Sequence, residues 1–102
     1  MAHEIPSNAE KKAFASEVNT FKTTIKDYES YIKSLNEEIL IDEGRATAAQ
    51  ARGLVGDSAG HLMRSMDLRH LVQSYEAQKR AATRDLAIIK KQWYKKYDFL
   101  GG

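Results

Sequence analysis

The chain has 102 residues, 16 Lys and Arg against 14 Asp and Glu, no cysteine and one proline. This length holds about one domain and excludes a two-domain enzyme, while the lack of cysteine excludes disulfides, thiolate zinc sites and a cysteine nucleophile. The longest strongly apolar run is Ile39-Leu40-Ile41 and Met1-Ala-His-Glu-Ile-Pro6 has no signal-peptide pattern, so no transmembrane helix is predicted and a cytoplasmic or intracellular location is expected.

Pro6 is followed by Ser7-Asn8-Ala9-Glu10. This Ser-x-x-Glu capping box lets each side chain satisfy a backbone N–H at a helix start. Beyond it, Phe14, Val18, Phe21, Ile25, Tyr28, Ile32, Leu35 and Ile39 are spaced alternately by four and three. That 3.5-residue period keeps one apolar seam on one side of a supercoiled helix and leaves no period-2 strand pattern. The first helix is predicted over about residues 8–43.

Residues 44–60 differ in character. Eleven of these seventeen are Gly, Ala, Ser or Thr. They read as a Gly/Ala-rich connection with room for a short third helix, or for helix 1 to continue to about Arg52. Ala46, Ala49 and Gly53 sit on the continued seam and would allow close backbone approach. The stretch from Gly53 to Gly60 is the best turn candidate.

A second helix is predicted over about residues 61–97. Its seam reads Leu68, Val72, Tyr75, Lys79, Ala82, Leu86, Ile89 and Trp93, with Leu62 and Met66 extending it loosely toward the turn. Two helices of about 36 residues are each about 54 Å long, far beyond the ~13 Å radius of gyration of a globule this size. The expected fold is therefore all-α: an elongated, coiled-coil-like antiparallel hairpin in one helical domain. Charge agrees with that pairing. Residues 1–44 carry five Lys and nine acids, while residues 45–102 carry eleven Lys and Arg and five acids.

Two paired helices bury one stripe each. Tyr31, Leu40, Ile41, Met63, Leu71, Ile88 and Tyr94 lie off the stripe, and exposed apolar patches of this kind mark interfaces. Self-association into a helical bundle, or docking onto helices of a larger complex, is the expected consequence.

Three other patterns carry chemistry elsewhere. Gly56-Asp57-Ser58-Ala59-Gly60 is similar to the Gly-x-Ser-x-Gly nucleophile elbow of the α/β-hydrolase family. That elbow needs a preceding strand and a parallel sheet, which this pattern lacks, so Asp57 or Ser58 is read as capping helix 2. His3, His61 and His70 include no i, i+4 pair, so no metal site is expected. Lys90-Lys91-Gln-Trp93-Tyr94-Lys95-Lys96-Tyr97 packs four lysines and three aromatics into eight residues. It reads as a cationic last turn suited to the helix dipole, as a phosphate-binding, base-stacking patch formed by Lys90, Lys91, Lys95 and Lys96, or as an anchor at an anionic membrane surface. The tail Tyr94-Lys-Lys-Tyr-Asp98 is similar to the Tyr-x-x-x-Asp signal of the small secreted helical hairpins of type VII systems. The Trp-x-Gly turn of that family is missing, since the single Trp is Trp93.

The expected function is non-enzymatic, with no cofactor. The chain reads as a structural subunit, adaptor or small inhibitor acting through helices in an assembly, a phage or viral accessory protein included. The competing reading is a nucleic-acid-binding module built on the basic second helix.

Overall fold

The computed structural model describes residues 5–97. His3 and Asp98, the latter closing the Tyr-x-x-x-Asp tail, lie outside them. The described residues form two helices, α1 (Asn8–Ala51) and α2 (Val55–Tyr97), paired as a helical hairpin. Neither is long and apolar enough to cross a membrane.

The ends of α1 are set by local chemistry. The Ser7 hydroxyl accepts the Glu10 backbone N–H at 3.1 Å, and the Glu10 carboxylate accepts the Ser7 N–H at 3.3 Å. Two orphan donors of the first turn are thereby satisfied reciprocally. At the other end the Leu54 N–H reaches the Ala49 carbonyl at 2.9 Å and the Gly53 N–H reaches that of Gln50 at 3.0 Å. This is a Schellman closure, and it requires the left-handed φ of +77° that Gly53 adopts. Leu54 then accepts the Ser58 N–H at 3.0 Å, opening α2 at once.

The connection is thus Arg52-Gly53-Leu54, not residues 44–60. α1 runs on from 43 to Ala51, α2 starts at Val55 rather than 61, and no third helix stands between them. Asp57 and Ser58 lie inside the first turn and do not cap it, although Asp57 still suits the positive end of the helix dipole. Gly44, Gly56 and Gly60 sit within helices, where each costs roughly 1 kcal/mol against Ala. Tertiary pairing outweighs that local cost: Ala46, Ala49, Ser58 and Ser65 are all buried, so the segment packs as a continuation of both helices.

The chain divides into two units. One combines the described residues up to Asp27 with those from Lys79 onward. Val18, Ala82 and Tyr97 are buried there, and Phe14, Phe21, Ile25, Leu86, Ile89 and Trp93 are half-buried. The other is Tyr28–Gln78, which includes the turn. Ile39 and Val72 are buried in it, with Tyr28, Ile32, Leu35, Leu68 and Tyr75 half-buried. Toward the turn this seam changes composition to Asp42, Ala46 and Ala49 on α1 and Ser58, His61 and Ser65 on α2. Leu62 and Met66 do not extend the seam as the sequence suggested. Both are exposed, because Ser58, His61 and Ser65 occupy the inward 3.5-residue period instead.

Candidate interaction surfaces

In the first unit the aromatic residues are engaged with one another. Trp93 stacks on Phe14 with ring centroids 4.2 Å apart and planes 7° from parallel. Tyr97 tilts onto the other side of this cluster, 4.4 Å from Trp93. The Tyr97 hydroxyl donates to the Glu10 carboxylate, so one acid both closes the α1 capping box and anchors the last turn of α2. The bond to Tyr97 holds the Glu10 carboxyl below its ordinary pKa, helped by the Ser7 backbone N–H. The same bond raises the Tyr97 phenol above its own, with burial adding to it.

The lysines surround this cluster unevenly. Lys90 is half-buried, whereas Lys91, Lys95 and Lys96 are exposed. Lys96 places its ammonium 5.0 Å from the centre of the Tyr97 ring, a cation–π contact. Lys95 and Lys96 lie in the last turn of α2, where cations suit the helix dipole. A groove of about 320 Å³ runs beside the cluster, and Lys11, Lys22 and Lys90 line it together with Trp93 and Tyr94. Tyr94 is half-buried there and is less available to a partner than the sequence implied.

In the second unit the distribution is inverted. Asp42, 1% exposed, is its most deeply buried side chain. Arg64 approaches it with Nε 3.1 Å from Oδ2, and His61 Nδ1 and Arg45 stand 3.7 and 3.9 Å from Oδ1. None of these is aligned as a hydrogen bond, and both carboxylate oxygens are enclosed. Higher up, Tyr75 lies 5.9 Å from Tyr28 and 5.6 Å from Tyr31, and the Tyr28 hydroxyl donates to Gln78 at 3.0 Å.

Apart from the seam of Ile32, Leu35, Ile39, Leu68 and Val72, many apolar residues of this unit face outward. Tyr31, Leu40, Ile41, Met63 and Leu71 are exposed, as are Leu62 and Met66, expected on the seam, and Leu54 and Val55, expected in the connection. Ile88 is exposed too, but in the first unit. The outward residues of α2 have a pattern of their own. Val55, Ala59, Leu62 and Met66 repeat the 4-3-4 spacing of a helix-packing stripe. A turn at 53–60 would break this stripe between Ala59 and Leu62, whereas a helix from Val55 keeps it continuous.

Residues that could suggest catalysis are not brought together. Ser58 is buried on the α2 seam, while Asp67 and His70 are exposed farther along the same helix. Among the described residues no group of three or more His, Asp or Glu side chains could hold a metal ion. No family model, no curated protein and no solved structure matches this chain.

Proposed function

We propose that this protein is a non-enzymatic helix-mediated interaction protein: a structural subunit, adaptor or small inhibitor that works by packing helices against helices, with a bundle as its working form. One observation carries the reading. Of the eleven large apolar side chains exposed among the described residues, nine belong to Tyr28–Gln78. That is a surface composed like a core and left in water, at about 25 cal/mol per Å² of apolar area.

The test measures association of the full chain with itself and with a panel of amphipathic helical peptides, at tens of micromolar. Binding in either assay, lost when Leu40 and Met63 are replaced by Ser and kept when Lys90, Lys91, Lys95 and Lys96 become Glu, is the expected result. Absence of both kinds of binding overturns the proposal.

Nucleic-acid binding through the basic end of α2 is the second reading. The groove lined by Lys11, Lys22 and Lys90 favours it. Its difficulty is that Trp93 already stacks on Phe14 and Tyr97 is buried against Trp93, so the rings are engaged within the protein before any base could stack on them. A gel shift with random DNA and RNA at low salt, abolished by the four Lys→Glu changes, is what this reading requires.

A further inference from the structure

Resting on that reading, the exposed turn-proximal stripes can be assigned an occupant. On α2 the stripe is Val55, Ala59, Leu62 and Met66; on α1 the same 4-3-4 spacing recurs as Leu40, Gly44, Thr47 and Ala51. All eight residues are exposed. The two stripes share one side of the hairpin. Glu43 and Arg69 form an ion pair between the helices. Leu40 and Thr47 lie at i−3 and i+4 from Glu43, and Met66 and Leu62 at i−3 and i−7 from Arg69, spacings that place each on its neighbour's face.

This face has three properties that decide what covers it. The stripes themselves hold no charged side chain, the Glu43 and Arg69 charges beside them are matched within the chain, and the Thr47 hydroxyl is already bonded to the Glu43 carbonyl at 3.0 Å, so a partner face owes it no ion and no hydrogen bond. It is large. Leu40, Val55, Leu62 and Met66 keep 69, 73, 47 and 59% of their surface in water. With Met63, 67% exposed, and the small residues between them they form a contiguous apolar patch of the kind that marks an interface.

Third, the face complements itself. Turned over by a two-fold axis perpendicular to the helices, each stripe meets its own reverse. Leu40 then faces Ala51 of the other copy, Met66 faces Val55, Leu62 faces Ala59 and Thr47 faces Gly44. Every level pairs a larger side chain with a smaller one, the arrangement in which two layers interdigitate. A Cβ built on Gly44 would meet nothing within 4 Å, so that position leaves room for close approach. A closed two-fold interface of this kind uses one patch twice.

We infer that the turn-proximal face formed by these two stripes binds a second copy of the chain in antiparallel orientation, giving a four-helix dimer. The experiment is sedimentation equilibrium on the full chain over a dilution series, with helicity followed by circular dichroism. The wild type should sediment as a dimer whose dissociation constant is nearly independent of salt. Leu62→Ala, which deletes two symmetric contacts, should weaken it about tenfold or more. Ala59→Leu should weaken it by collision, and Leu62→Ala combined with Ala59→Leu should restore it, because the large and small partners have only exchanged places. Both positions are exposed in the single chain, so helicity should stay constant. Arg52→Glu, off the face, serves as a control that leaves the dimer intact.

A monomer at all concentrations overturns the inference. If that monomer still binds amphipathic peptides, the occupant is another protein and the broader proposal survives; if it binds none, both fall. A dimer indifferent to Leu62→Ala, or one in which the double exchange fails to restore affinity, overturns the antiparallel self-pairing.

Discussion

The unit that contains the two chain ends and the unit that contains the turn are built from the same two helices, yet they distribute polarity in opposite ways. Around Phe14, Trp93 and Tyr97, rings stack inside and lysines stand outside. Around Asp42, the seam holds Asp, Ala, Ser and His while Leu, Ile, Val and Met face water. Burying aromatic surface stabilises a hairpin by itself. A seam of alanines and serines buries little, and enclosing a carboxylate costs free energy. The contrast places the larger share of aromatic burial in the first unit and the larger share of exposed apolar surface in the second.

The sharpest way to break this contrast is Trp93→Ala. Removing the ring that Phe14 stacks on and Tyr97 tilts against should cost about 3 kcal/mol in urea unfolding, whereas Met63→Ser, on the outside of the second unit, should stay within about 0.5 kcal/mol. Equal costs would erase the distinction between a stabilising and a presenting unit.

Next in size is the buried carboxylate. A double-mutant cycle between Asp42 and Arg64 should give a coupling of about 1–2 kcal/mol. The same cycle between Glu43 and Arg69, an exposed pair, should give below about 1 kcal/mol. If the two couplings coincide, Asp42 gains nothing from its enclosure.

The turn offers a smaller and oppositely signed pair. Gly53→Ala forces a Cβ into the left-handed region and should lower stability by about 1 kcal/mol. Gly60→Ala, in a helix with open space around it, should raise stability by about 0.5–1 kcal/mol. Thermal melts of the two variants should therefore move apart.

The smallest effect is in pH. The Glu10 carboxyl is held below its ordinary value of 4.5, so its contribution is present above that pH and is lost as pH falls through the depressed value. Tyr97 is raised above its ordinary 10.0, so its contribution is present below that pH and is lost as pH rises through the elevated value. Tyr97→Phe should flatten both the acid and the alkaline arms of the stability curve. An unchanged acid arm would show that Glu10 owes its shift to the capping box instead.

The seam from Phe14 to Ile39 and its counterpart from Leu68 to Trp93 were legible because a 3.5-residue apolar period has one physical interpretation. The capping box at Ser7 and Glu10 was legible for a similar reason, since its two hydrogen bonds are local. The segment 44–60 was legible only in part: continuation of the first helix to about Arg52 was one of two readings, and the start of the second helix at Val55 was missed. Its glycines disfavour helix locally, and the gain that overrides them comes from burying Ala46 and Ala49 on one helix and Ser58 and Ser65 on the other. That gain exists only once the chain has folded back. The outward stripe at Val55, Ala59, Leu62 and Met66 was written in the same spacing as the seam, but it could not be told from a seam until the inward face was known.

The amino-acid sequence by itself determined that this chain makes two long amphipathic helices, because hydrophobic period and helix capping act within a few residues along one strand of chain. Only the tertiary structure decided where the chain turns, that an aspartate lies inside and methionines outside, and that the end lysines flank an aromatic stack. Those outcomes depend on which surfaces meet across the hairpin, and that competition is settled by burial between helices rather than by any residue's own preference.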